Sequence, residues 1–161
     1  MQRKRQSVLQ LRLPFLLPTH FYIQGNFMDN LSVELVQSSW KKVAVIGPQA
    51  AALFYNNLFE QDPSLKPLFK GDLQAQGKKL IDMIGVAVNK LTELDVLVPV
   101  LQSLGKRHSG YGVQDSHYDT VGAALLKTLG QGLGQDFTPD VKSAWINVYG
   151  VMADVMKAAA K

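Results

Sequence analysis

The chain has 161 residues, enough for a single domain with a sizeable hydrophobic core. Its composition, 47% hydrophobic and 19% charged, is ordinary for a globular protein. The absence of cysteine excludes disulfides, thiolate-bound metals, iron–sulfur clusters and C-x-x-C-H cofactor attachment. Any metal must therefore be held by histidine, by carboxylates or by an organic cofactor.

The net charge of +4 comes from the first 27 residues alone, which contain four basic residues and no acid: Arg3, Lys4, Arg5 and Arg12. Residues 28–161 hold 13 basic and 13 acidic residues and are therefore neutral. Proteins that bind nucleic acid rely on clustered lysine and arginine. Because residues 28–161 are neutral, we expect no nucleic-acid partner.

The first 27 residues also differ in pattern from the rest of the chain. An apolar run at 8–18 suggests a signal peptide, but Gln10, Arg12 and Pro14 interrupt it and no small-x-small cleavage site follows. No stretch approaches the roughly 18 apolar residues that a membrane span requires. We expect residues 1–27 to be a disordered extension, or to precede a true start at Met28, rather than to target the protein or lie on a membrane. We expect the protein to be cytoplasmic.

From Met28 onward the spacing of apolar residues predicts helices. Ser32 is a good N-cap for a first helix with an apolar stripe at Val33, Val36, Trp40 and Val43. Gly47-Pro48 ends that helix and begins a second, which stops at Asp62-Pro63. The connection at 62–69 has no period of its own. A long helix is then expected from about Gln74 to Leu91, with one apolar face: Leu80, Met83, Ile84, Ala87, Val88 and Leu91.

The next helix places His108 on the same stripe as three leucines, because the steps between these residues are four, three and four: Leu97, Leu101, Leu104 and His108. The turn residues Ser109-Gly110 and Gly112 end it. A buried imidazole without a partner costs about 1–3 kcal/mol, so His108 needs a hydrogen bond or a metal. On this evidence alone, a satisfied core histidine is the more common case.

Two further helices complete the pattern. Ser116 is a candidate N-cap for the first, and Thr138-Pro139-Asp140 opens the last. The glycine-rich stretch 130–134 lies between them and is expected to be a loop. No segment alternates with period two convincingly over five residues. The sequence therefore predicts an all-α domain of six to eight helices at 28–161.

Familiar catalytic motifs are missing, since the chain has no G-x-G-x-x-G, G-x-x-x-x-G-K, H-E-x-x-H or G-x-S-x-G. Its three histidines are His20, His108 and His117. A zinc site needs at least about three protein ligands, which two histidines in the body do not supply. A haem needs only one, because the porphyrin provides the four equatorial bonds.

Residues from about Leu31 to Met156 resemble the globins, most closely bacterial single-domain haemoglobins, the globin portion of flavohaemoglobins, and neuroglobin. The resemblance is carried by six motifs: Ser39-Trp40, residues 53–59 (LFYNNLF), Pro63-x-Leu65-Lys66-Pro67-Leu68-Phe69, Leu104-Gly105-Lys106-Arg107-His108, Tyr118-Asp119-Thr120-Val121-Gly122, and Ala144-Trp145-x-x-x-Tyr149-Gly150. Their spacing runs without gaps from Tyr55 to Tyr118. A globin fold around a haem b pocket is what this resemblance implies.

By the same resemblance, His108 is the proximal ligand of the haem iron and Phe69 packs on the haem face. The distal side, where gas binds, is formed by Tyr55, Gln76 and Leu80. Lys79 lies near the haem edge, where it would pair with a propionate. The resemblance places further cofactor contacts at Leu104, Val113, Tyr118 and Val121, with Tyr118 beneath the proximal histidine.

Each of these residues has a plainer interpretation when taken singly. Phe69 and Tyr118 are core aromatics in most proteins, and Gln76 and Lys79 are solvated surface residues in most helices. His117 is expected to be exposed, with a propionate contact as the minor alternative. The spacing Phe69–Gln76–Leu80–His108, taken with the motifs, favours haem binding.

One departure from the family affects the chemistry. Flavohaemoglobins carry a glutamate near the end of the last helix that hydrogen-bonds the proximal histidine. The corresponding position here is Ala160, and no acid follows Asp154. We therefore expect a backbone carbonyl as the partner of His108. Because the sequence ends at Lys161, we expect no flavin reductase domain.

Three functions are compatible with these residues. The first is reversible binding of oxygen and related gases such as NO or CO, without enzymatic activity. The second is a nitric-oxide dioxygenase that depends on a separate reductase, and the third is a haem-based gas sensor that needs a partner for its output. The absence of the glutamate, together with the expected absence of a reductase domain, favours the first.

Overall fold

A computed structural model describes residues 22–23 and 26–161, so most of the expected extension at 1–27 lies outside the described residues. Strands β1 (Tyr22–Ile23) and β2 (Asn26–Phe27) pair antiparallel. Six α-helices follow in the described part of the chain: α1 (Asn30–Val45), α2 (Gly47–Gln61), α3 (Leu73–Asn89), α4 (Leu94–Gly110), α5 (Asp115–Leu133) and α6 (Pro139–Ala159). The all-α prediction is confirmed.

None of the helices in the described residues is long and apolar enough to span a membrane.

Two helices begin earlier than their predicted N-caps. The carboxylate of Asp29 accepts a hydrogen bond of 2.7 Å from the backbone N–H of Ser32, so Asp29 caps α1 and Ser32 lies inside the helix. Gln114, rather than Ser116, caps α5 in a reciprocal arrangement with His117. In each case a polar residue further upstream, three positions for Asp29 and two for Gln114, begins the helix in place of the predicted cap.

Two segments expected to be loops contain helical turns. Pro63–Leu68 forms a 3-10 helix whose first turn is capped by the carboxylate of Asp62. The predicted loop at 130–134 is helical as far as Leu133, and Gly134, at φ 57°, ends α5 and starts the short 3-10 helix Gly134–Asp136. The prediction that Thr138-Pro139-Asp140 opens the last helix is confirmed, with Thr138 as the cap of α6.

Buried polar side chains join helices that are distant in sequence. The indole N–H of Trp145, on α6, donates a 2.9 Å hydrogen bond to the hydroxyl of Ser39, on α1. The side-chain amide of Asn57, on α2, donates to Thr128 and Gln131, on α5, at 3.0 and 2.8 Å. Because a buried donor without a partner costs about 1–3 kcal/mol, these bonds specify how the helices pair.

The contact between α4 and α6 is closest at Gly105. A Cβ atom at this position would overlap the backbone carbonyl of Met156, so no side chain fits. Gly122 plays the same part on α5, where a Cβ atom would lie 2.6 Å from Cε1 of Tyr149. These two glycines let α4 and α5 approach α6 closely at the centre of the fold.

Gly105→Ala should therefore destabilise the protein, although alanine is the better helix former. We expect the overlap with Met156 to lower the free energy of unfolding by at least about 1–3 kcal/mol, measured by urea titration. Gly150→Ala, on α6, is the matched control, because no heavy atom lies within 4 Å of its Cβ position. The control should gain about 0.5–1 kcal/mol from helix propensity. Equal stability changes in the two variants would contradict the close contact.

Candidate functional site

A cavity of about 340 Å³ lies inside the bundle. Its α2 and α3 wall is almost wholly apolar and aromatic: Phe54, Tyr55, Leu58, Leu80, Met83, Ile84 and Ala87. The opposite wall is formed by α4, α5, α6 and the segment between α4 and α5. It contains His108 and His117. A mainly apolar cavity with a few convergent polar groups is typical of a small-molecule or cofactor site.

His108 presents one ring nitrogen to this cavity. Its Nδ1 lies 2.7 Å from the backbone carbonyl oxygen of Leu104, one helical turn earlier. A carbonyl only accepts hydrogen bonds, so Nδ1 carries the proton and Nε2 keeps its lone pair. The expected backbone-carbonyl partner of His108 is confirmed. The half-buried imidazole is oriented as a metal-ligating histidine requires.

Tyr55 stands on the opposite side of the cavity within a cluster of aromatic rings. Its ring centroid is 5.5 Å from those of Phe54 and Phe69 and 6.0 Å from that of Phe59. The side chain is buried, and its hydroxyl has no hydrogen-bond partner among the described residues. Burial raises the pKa of Tyr55, so the hydroxyl stays protonated and remains a donor for a ligand.

The structure brings together eight of the ten residues that the sequence suggested for the site, all lining this cavity: Tyr55, Phe69, Leu80, Leu104, His108, Val113, Tyr118 and Val121. It does not bring the other two there. The side-chain amide of Gln76 donates a hydrogen bond to the backbone carbonyl of Lys70, and Lys79 is exposed. The distal role of Gln76 and the propionate role of Lys79 stay predictions.

His117 belongs to the cavity, and the expectation that it is exposed was wrong. It is half-buried among the lining residues, and its Nδ1 accepts a 3.0 Å hydrogen bond from the backbone N–H of Gln114. A signal existed in the sequence, because His117, Val121 and Leu125 follow one another at steps of four. This spacing places them on one stripe of α5, and all three line the cavity.

Tyr149 is a second polar residue of the wall that the site prediction did not include. Its hydroxyl donates a 2.6 Å hydrogen bond to the backbone carbonyl of Tyr118. Burial is the main cause of a raised pKa at Tyr149, with smaller contributions from Tyr118 and Asp119. The phenol therefore stays neutral and links α6 to α5 beside the cavity.

No group of three or more histidine, cysteine or carboxylate side chains suited to hold a metal ion occurs within the described residues. The residues present instead fit a cofactor that brings its own equatorial ligands, because the cavity is broad and mainly apolar and its two histidines, His108 and His117, are too few for a metal site built from protein ligands alone.

Tyr149 should make the protein lose stability in alkaline solution. Its ordinary pKa of 10.0 applies in the unfolded chain, and its folded pKa is higher, so the folded state keeps the proton longer. This stabilisation is complete below about pH 10 and is lost as the pH rises from there towards the folded pKa. Tyr149→Phe should show a shallower decline in the free energy of unfolding between about pH 10 and 12. At neutral pH it should cost the roughly 1 kcal/mol of one hydrogen bond. Identical alkaline slopes for the two proteins would contradict this assignment.

Comparison with known proteins gives the family. The family model described as Globin matches residues 52–156. The flavohemoprotein of Bacillus subtilis (strain 168) is 30% identical over 130 residues, which are 79% of this chain and 33% of that protein. The crystal structure of flavohemoglobin from Malassezia yamatoensis with bound FAD and heme aligns with a TM-score of 0.70 at 23% identity, over 83% of this chain and 36% of that one. The chain thus spans about a third of the length of either relative, and it belongs to the globin family.

Proposed function

We propose that this globin binds haem b through His108 and uses it to bind dioxygen reversibly. The observation that carries the proposal is the orientation of His108, whose Nδ1 is tied to the Leu104 carbonyl while Nε2 is left for iron. The relatives, one named a flavohemoprotein and the other solved with heme, support the same cofactor. Haem, when bound, supplies the iron at which a diatomic gas such as O2, NO or CO coordinates.

The remaining lining residues have separate tasks in this proposal. Leu80, Met83 and Ile84 exclude water, and Phe69 offers a flat aromatic face to the porphyrin. Tyr55 keeps a protonated hydroxyl without a competing partner, so that it is free to donate to a ligand. Leu104 fixes the tautomer of the proximal imidazole through its backbone carbonyl.

His108→Ala should remove the residue proposed to hold the haem iron, so that the protein no longer takes up one stably ligated haem per chain. The comparison variant is His117→Ala, which deletes the other imidazole of the same cavity and should still give the absorption spectrum of an imidazole-ligated haem, whatever its rate of haem loss. Absorption spectra of the reconstituted proteins check this, with imidazole added in a second series to replace the missing side chain. A variant without His108 that kept the wild-type Soret band in the absence of imidazole would disprove the assignment.

Tyr55 and Gln76 are the proposed distal donors. Dioxygen in such a pocket carries partial negative charge, whereas carbon monoxide is nearly neutral, so a donor favours dioxygen. Hydrogen bonds to charged acceptors contribute about 1.5–3 kcal/mol, or about a 10- to 150-fold change in rate. Gln76 would have to leave the Lys70 carbonyl to reach the ligand, whereas Tyr55 already lines the cavity.

Tyr55→Phe and Gln76→Leu should therefore release dioxygen on the order of tenfold faster, with smaller changes for carbon monoxide. Stopped-flow ligand replacement measures both rates. Phe59→Tyr, in the same aromatic cluster, is a control that adds a hydroxyl without removing the proposed donor. If both gases left the two variants at the wild-type rates, neither side chain would contact the ligand.

A nitric-oxide dioxygenase working with a separate reductase is the second candidate, and the match to flavohemoprotein favours it. A nitric-oxide dioxygenase and an oxygen carrier would use the same distal residues. The two functions are therefore expected to differ in the hydrogen-bond partner of the proximal histidine. The neutral carbonyl at His108 favours the carrier, because a carboxylate partner would make the imidazole more basic. Steady-state consumption of NO in the presence of a flavin reductase separates the two functions. A gas sensor would need an output partner and ranks third.

A further inference from the structure

The cavity has few groups that could hold the charged edge of its proposed cofactor. Haem carries two propionate carboxylates, which stay ionised only where water or hydrogen-bond donors meet them. No lysine or arginine lines the cavity in the described part of the chain. The lining donors that are not already bonded to the protein are Tyr55, Tyr111, Tyr118 and His117.

The position of His117 in the wall distinguishes it from the three tyrosines. Tyr55 and Tyr118 are 7% and 8% exposed, too deep for a carboxylate that must remain hydrated, and Tyr111 is 72% exposed with its hydroxyl free to stay in water. His117 is half-buried, in the first turn of α5, where the wall meets the surface. A charged carboxylate is most stable at such a boundary.

The hydrogen bonds of His117 also determine which of its nitrogens is a donor. The backbone N–H of Gln114 donates to Nδ1 at 3.0 Å, so Nδ1 carries no proton. The neutral ring therefore carries its proton on Nε2, which has no partner within the described residues. The Gln114 side chain in turn accepts from the backbone N–H of His117. The ring is thus held in one orientation before any ligand binds.

We propose that His117 is a binding residue for a haem propionate, to which its Nε2–H donates a hydrogen bond. The inference rests on the proposed haem site and adds the residue that holds the cofactor's carboxylate edge. It differs from the prediction that Lys79 pairs with a propionate, since the Lys79 side chain is exposed and outside the cavity wall. Through the imidazole of His117, the first turn of α5 would help to retain the cofactor.

The test measures how fast haem leaves the full-length protein for an excess of an apoglobin acceptor. Each variant is loaded with haem or with haem dimethyl ester, in which both carboxylates are esterified and uncharged. His117→Leu should lose native haem about tenfold faster than the wild type and lose the ester at the wild-type rate. His117→Gln keeps an N–H donor and should restore part of the difference. Gln114→Ala weakens the helix cap but keeps the imidazole, so it should change neither rate more than about twofold.

Other outcomes overturn the proposal. Equal acceleration for haem and ester in His117→Leu would show that the side chain acts only through α5. Unchanged loss of both cofactors would show no contact at all, and an ester-sensitive effect confined to Lys79→Ala would assign the propionate to the lysine. A wild-type protein that takes up neither haem nor ester, with no Soret band, would instead refute the proposed function. Retention of haem by the wild type therefore distinguishes a failure of the propionate proposal from a failure of the proposed function.

Discussion

The hydrogen bond between His108 and the carbonyl of Leu104 is the interaction on which the site depends. It selects the tautomer whose free nitrogen faces the cavity, and it exists because both residues lie one turn apart on α4. The position of α4 in turn depends on Gly105, where the helix meets the backbone of α6 too closely for any side chain. The contact between α4 and α6 at Gly105 therefore helps to set where the imidazole lies inside the bundle.

Polar hydrogen bonds, in addition to apolar packing, fix the register of the helices around the cavity. Trp145 reaches Ser39, and Tyr149 reaches the backbone of α5. Both rings also line the cavity, so each is anchored at its polar end while its apolar body faces inward.

The sequence predicted the features that depend on one helix alone, such as its position and its buried face. It predicted less well the features that depend on two segments, such as which residue caps a helix. Apolar spacing located all six helices, and the globin motifs located eight lining residues. It misplaced the caps of α1 and α5, because Asp29 and Gln114 lie upstream of Ser32 and Ser116 and already begin the two helices. Spacing also records only which face of a helix is inward. It does not tell whether Gln76, near the start of α3, turns to the cavity or to a loop carbonyl, since that choice depends on the backbone at Lys70.

The proximal side of the cavity bears most directly on which globin chemistry the chain supports. A carboxylate partner would pull the Nδ1 proton of His108 and raise the electron density that the ring donates to iron, which favours redox turnover. Ala160 has no carboxylate. The carbonyl of Leu104 already accepts the hydrogen bond that Nδ1–H of His108 donates. In the proposed haem site, a neutral acceptor would leave the imidazole a weaker donor to iron, which suits the ferrous state that the proposed reversible binding requires. An acidic residue introduced at position 160 would therefore not be enough to change the partner of His108. Its Nδ1–H would first have to break the hydrogen bond to the Leu104 carbonyl within α4.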